Sequence, residues 1–194
     1  MNTAPRHVVF GTGAIGLATL EALRRRGERV RLVNRSGAAP VPDDVEILAG
    51  DASDPAFAVA AAQGAQVVYQ TLNPPYHQWV ELFPALQAGV LAAAQATGAR
   101  LVSMENVYMY GRPAGQPLTE TRTYAAHTKK GQLRARMAEG PVDDTDVAQQ
   151  QIGDVDAVGC ARECRLGSKQ VGVVGAFAGR RMPHMRQPKL CAPR

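Results

Sequence analysis

Gly11, Gly13 and Gly16 form a G-x-G-x-x-G turn directly behind the apolar run His7-Val8-Val9-Phe10. Glycines in this pattern serve where a strand hands over to a helix and the backbone must approach a dinucleotide pyrophosphate. The first permits the tight turn, the second leaves room for phosphate, and the third lets helix and strand pack closely. Ala14 and Ile15 lie inside the turn, where helix N–H groups and the positive end of the helix dipole face an anion. A glycine turn alone also serves simply to pack a helix on a strand. The flanks favour more than that. Leu17 to Arg26 offers Leu20 and Leu23 for a buried stripe, and Arg24 to Arg26 suit the negative end of the dipole. Gly27 stops the helix, and Arg29 to Val33 alternates like a second strand.

The residues closing that second strand bear on the coenzyme. An Asp or Glu there would accept hydrogen bonds from the adenosine ribose 2′-hydroxyl of NAD. This chain has Asn34-Arg35-Ser36 instead. A guanidinium and a hydroxyl suit a 2′-phosphate through charge-assisted bonds, which predicts NADP(H) in preference to NAD(H). The same three residues are also ordinary turn chemistry.

The strand–helix rhythm continues. Val45 to Ala49 reads as a third strand, ending at Gly50-Asp51-Ala52. Asp54-Pro55 starts a helix that runs to about Gln63. Gln66 to Thr71 is a fourth strand, broken by Leu72-Asn73-Pro74-Pro75. Tyr76 to Thr97 has helical spacing, Gly98 ends it, and Arg100 to Met104 is a fifth strand. Five strands alternating with helices predict an α/β, doubly wound parallel sheet, with ligands beyond the carboxyl ends of the strands. Asp51, Thr71-Leu72-Asn73 and Ser103 fall at those ends.

The glycine turn, Gly50-Asp51, the break after strand four and Ser103…Asn106-Val107-Tyr108…Gly111 together resemble the extended and atypical short-chain dehydrogenase/reductases. That group includes the NAD-dependent epimerase/dehydratase and NmrA-like proteins. The resemblance covers residues 7 to about 139. It implies a Rossmann-like fold, contact of Asp51 and Ala52 with the adenine side, Thr71-Leu72-Asn73 along the coenzyme, and Ser103 near the nicotinamide. The residues themselves leave other roles open, since Asp51 and Ser103 also suit local backbone bonding.

The chain departs from the group at the chemistry. Such reductases use Tyr-x-x-x-Lys on a helix, where four residues put both side chains on one face. Here Lys129 and Lys130 are preceded, four back, by Ala125 and Ala126, and Tyr124 is followed four later by Thr128. On a regular helix Tyr124 and Lys129 point roughly 140° apart. Tyr124 remains a candidate proton donor if it precedes the helix start, with Ser103 positioning the substrate oxygen. Lys130 is expected at the coenzyme ribose or phosphate. Residues 121–139 read as a helix with Leu133 and Met137 inward.

Other chemistries find no support. The four histidines are scattered without metal-ligand spacing, and no metal is expected. Cys160, Cys164 and Cys191 are an odd set that fits a reducing cytoplasm, and no apolar run is long enough to cross a membrane. The net charge of +5 is unevenly held: residues 160–194 carry eight basic residues and one acid, and residues 1–159 carry fourteen and sixteen. This division suggests an NAD(P)-binding domain over 1–158 and a basic, poorly patterned tail over 159–194. The tail's one aromatic, Phe177, argues against nucleic-acid binding. Gly153 to Val158 reads as the start of a sixth strand and Val171 to Phe177 as a short strand. Relatives in the group continue into a substrate lobe, which here reads as truncated or replaced. A small-molecule substrate and possible self-association complete the expectations.

Overall fold

A computed structural model describes residues 5–115, 117–119, 121–139, 148–151 and 170–175. Strand β1 (His7–Phe10) leads through the glycine turn into helix α1 (Ala14–Arg24), which returns to β2 (Val30–Asn34). Then follow β3 (Glu46–Ala49), α2 (Pro55–Ala61), β4 (Val67–Gln70), α3 (Trp79–Thr97) and β5 (Arg100–Glu105). Helix α4 (Lys129–Glu139), β6 (Ala148–Gln151) and β7 (Gln170–Gly175) are the remaining α-helix and strands among the described residues.

The sheet order is β3-β2-β1-β4-β5-β7-β6, and every pairing is parallel. The chain winds outward from β1 to one edge, then crosses back to place β4 on the other side of β1. That reversal opens a crevice at the carboxyl ends of β1 and β4, the usual ligand position in such sheets. The expected α/β doubly wound fold is what the chain forms.

Strands covered on both faces must be apolar throughout rather than alternating. Val8, Val9 and Phe10 meet that demand, all fully buried. Val8 and Phe10 pack with Val68, Val90, Ala93 and Leu101 on the α2/α3 face. Val9 packs with Leu20, Leu23 and Leu32 on the α1 face. Gly89 brings α3 close enough that a Cβ there would strike the Ala52 carbonyl.

Two elements differ from the sequence expectation. The Tyr76–Thr97 helix opens as a separate 3₁₀ turn over Tyr76–Gln78. The helix expected over 121–139 begins only at Lys129. The Ala125 N–H bonds the Met109 carbonyl at 3.0 Å, and Arg122 bonds the carbonyls of Arg112 and Pro113. Residues 121–128 thus lie along the 3₁₀ turn Val107–Tyr110 instead of coiling. Thr128 then caps α4 by accepting the Gly131 N–H at 3.0 Å. The predicted strand at Gly153 to Val158 and the division at 158/159 fall outside the described residues. β7 covers the expected short strand from Gln170 to Gly175.

Candidate coenzyme site at the carboxyl edge of the sheet

The three glycines of the first turn are required for different reasons. Gly11 sits at φ +110°, and its N–H bonds the Val33 carbonyl at 2.9 Å. A Cβ on Gly16 would collide with the Gly11 carbonyl, so the third glycine lets α1 lie against β1. Both lean on Thr71, whose buried hydroxyl donates to the carbonyls of Phe10 at 2.9 Å and Gly11 at 3.3 Å. Gly13 is another matter. Its φ of −73° suits any residue, and nothing lies within 4 Å of a Cβ built there. It also heads α1 without a side-chain cap, and no acid occupies the first helical turn. The first N–H groups of α1, from Ala14 through Gly16, have no partner within the helix.

The turn after β2 is tied to the glycine turn. The Asn34 amide donates to Thr12 Oγ1 and to the Ala38 carbonyl, each at 2.8 Å. Its oxygen accepts the Gly37 N–H at 2.6 Å and the Ser36 hydroxyl at 3.3 Å. Asn34 is therefore fully engaged in holding the loop, while Arg35 stands exposed at its tip. Asp51 lies within the electrostatic reach of Arg35. Its carboxylate accepts the Ser53 N–H at 2.9 Å and the Ser53 hydroxyl at 2.8 Å. Those bonds, and less so the Arg35 charge, hold Asp51 below its ordinary pKa. Asp54, not Asp51, caps α2. Ala52 is buried, whereas Asn73 is exposed beyond β4 with Leu72 half-buried beside it. Gly13, Arg35, Asp51 and Asn73 thus follow four neighbouring strands at one edge of the sheet.

The reactive candidates are dispersed. Ser103 is buried, and its hydroxyl donates to Glu105 at 2.6 Å. Tyr124 lies in the segment preceding α4, its ring edge-on to Tyr110 at 5.3 Å. Lys130 stands over the Tyr76 ring, 3.2 Å from the centroid. Tyr124 and Lys130 are not brought together as a pair across one helix face.

Sequence reasoning missed two constellations. Glu105 on β5 pairs with Arg134 on α4, both buried, and Arg134 also donates to the Met104 carbonyl at 3.3 Å. The Arg134 guanidinium lies 4.4 Å from the Phe83 ring centroid. Burial pushes Glu105 up and Arg134 down, and their mutual contact opposes both shifts. The strand pattern held a clue, because Ser103 and Glu105 share the inward face with Leu101. The second constellation is the ring cluster of Tyr76, Trp79 and Tyr108, in which Tyr108 lies too far along the sequence from the other two for spacing to reveal it. Among the described residues no cluster of His, Cys, Asp or Glu has the makings of a metal site, and no helix is long and apolar enough to cross a membrane.

No family model matches the chain, and no curated protein matches it. Solved structures do. A short-chain dehydrogenase/reductase superfamily protein from Agrobacterium tumefaciens, solved with bound NAD, is 23% identical. The match has a TM-score of 0.55 and covers 69% of this chain and 43% of that one. A UDP-galactose 4-epimerase is 24% identical at a TM-score of 0.58, covering 69% and 49%. The Bordetella bronchiseptica enzyme WbmG, in complex with NAD and UDP, is 19% identical at 0.57, covering 81% and 57%. The chain spans about half the length of these structures. In its fold, the chain is a Rossmann-like α/β unit similar to part of each of these structures.

Proposed function

We infer that this chain binds a nicotinamide dinucleotide across the amino end of α1 and serves an oxidoreductase of the epimerase/dehydratase-like group. The observation that carries this reading is Gly13. Packing accounts for Gly11 and Gly16, but among the described residues no atom accounts for a glycine at position 13. A residue without a side chain, heading an uncapped helix, is what a closely approaching diphosphate requires. The donor set fits the group. The amides of Ala14, Ile15 and Gly16 would hold the diphosphate, Asp51 and the Ala52 backbone would face the adenine end, and Leu72-Asn73 would border the remainder. Arg35 and Ser36, with no acid closing β2, favour NADP(H) over NAD(H). Bound there, such a coenzyme accepts or donates hydride, and the substrate class is a small carbonyl or hydroxyl compound. The NAD-bound relatives support a nicotinamide coenzyme in general; the NADP(H) preference rests on Arg35 and Ser36.

Calorimetric titration with NADPH and NADH tests this directly. Gly13→Val leaves the protein folded, because its φ and surroundings accept a side chain, with only a small drop in thermal unfolding midpoint from the poorer N-cap, yet abolishes measurable coenzyme heat. Arg35→Asp weakens NADPH by tenfold or more while affecting NADH little, consistent with about 1.4 kcal/mol or more for a charge-assisted contact. Absence of heat with either coenzyme on folded wild-type material removes the reading.

A second reading is a coenzyme-binding sensor without turnover. The Ser103 proton is committed to Glu105, and alanines stand four residues before Lys129 and Lys130, where such reductases carry tyrosine, both of which favour it. Coenzyme binding with no oxidation or reduction across a panel of carbonyl and hydroxyl compounds distinguishes it.

A further inference from the structure

Three rings from different elements meet beside the proposed coenzyme crevice. Tyr76 belongs to the 3₁₀ turn that follows β4, Trp79 opens α3, and Tyr108 follows β5. Trp79 stands edge-on to Tyr76 at 5.0 Å and tilted against Tyr108 at 6.0 Å. The indole N–H donates to the Pro74 carbonyl at 3.0 Å, so the central ring is fixed from behind. Tyr76 and Tyr108 remain 55% and 45% exposed, which leaves ring surface available to a ligand.

Lys130 stands over this wall, and its position has a defined cause. A Cβ on Gly131 would meet the Tyr108 carbonyl at 2.7 Å, so glycine at that position lets the start of α4 lie against the Tyr108 backbone. The Lys130 ammonium then falls 3.2 Å from the centre of the Tyr76 ring. Among the described residues no carboxylate forms an ion pair with it. Lys129 and Lys130 also occupy the positive end of α4, with no acid in that first turn. Cations there are unfavourable to the helix. Two lysines and a helix N-terminus together raise a local positive potential, and no carboxylate among the described residues forms an ion pair with either lysine.

We propose that the Tyr76–Trp79–Tyr108 wall and the Lys130 ammonium form a subsite for a small organic carboxylate, the carbon frame lying on the exposed rings and the anion on Lys130. As a statement about substrate, this rests on the oxidoreductase reading above; as a statement about an anion site, it does not. Lys130 thereby serves the substrate instead of the coenzyme ribose.

The chain's single tryptophan makes the test direct, because Trp79 is part of the wall. Benzoate, titrated into the full chain, shifts Trp79 emission saturably, whereas the neutral benzyl alcohol does not. Lys130→Met weakens benzoate at least tenfold, Lys130→Arg retains most of the affinity, and both bind NADPH within twofold of wild type. No saturable benzoate response, equal responses to the acid and the alcohol, or unchanged benzoate binding in Lys130→Met overturns the subsite. So does a Lys130→Met variant that loses NADPH and keeps benzoate. If wild type binds benzoate through Lys130 but neither coenzyme, the anion site stands and the oxidoreductase reading fails.

Discussion

Thr71 shows how much one hydroxyl can organise. It donates to two carbonyls of the glycine turn, and the positions where Gly11 and Gly16 lack a Cβ both face it. Valine has nearly the same shape but no donor, so Thr71→Val leaves the Gly11 carbonyl short of a partner in a buried place, while the Phe10 carbonyl keeps the backbone N–H of residue 71. Such losses cost about 1–3 kcal/mol. Urea denaturation of Thr71→Val is expected to show a loss in that range, with weaker NADPH binding because the turn is no longer fixed. An unaffected midpoint would assign the turn's geometry to the glycines alone.

At the scale of elements, β5 and α4 are joined by a charge pair that neither segment announces. Arg134 sits between Leu133 and Met137, on a helix whose buried face otherwise reads as apolar. Breaking a buried pair from one side strands the other charge, at a cost of about 3–5 kcal/mol. Arg134→Met should therefore destabilise by that amount in denaturant titrations, and Glu105→Gln added to it should restore a substantial part. If the double variant is no better than the single, the guanidinium acts through its packing on Phe83 instead. The contrast with the other elements is instructive. The first five strands and α1 to α3 were legible because strand runs such as Val8 to Phe10 and caps such as Asp54 are local patterns. The segment 121–128 was misread as helix because its bonds to Met109, Arg112 and Pro113 are tertiary. β6, Ala-Gln-Gln-Gln, has no apolar alternation to betray a strand. The site followed the same rule: the glycine turn is a contiguous motif, whereas the Tyr76, Tyr108 and Lys130 cluster exists only once three elements meet.

Across the whole molecule, the two ends of the sheet have different roles. The carboxyl edge carries the proposed binding residues. At the amino edge His7 meets Tyr69 on β4 at 3.2 Å and Glu28 at 3.5 Å. Burial lowers the His7 pKa below its ordinary value, with the Glu28 charge opposing and Arg6 assisting, and burial pushes the Tyr69 phenol up to about 12. Because the folded state holds His7 neutral, the unfolded chain binds more protons in acid. His7 therefore supports stability above the usual imidazole range, and that support is lost as pH falls through its folded pKa. Thermal unfolding scans should show stability falling from about pH 7 toward 5, with a shallower slope in His7→Gln. Coenzyme affinity at neutral pH should be untouched by that change, since the substitution lies at the opposite end of the strands.

The Asn34 clamp bears on any attempt to redesign coenzyme choice. A mutagenesis programme aiming for NAD would ordinarily install an acid where β2 ends. Here that position already spends both amide hydrogens on Thr12 and Ala38, and an aspartate has none to give. Such a graft would unfasten the loop before it could recruit a ribose. Ser36 belongs to the same clamp through its bonds to Asn34 and Ala38, so exposed Arg35 is the position at which the proposed selectivity can be rewritten with the scaffold left standing.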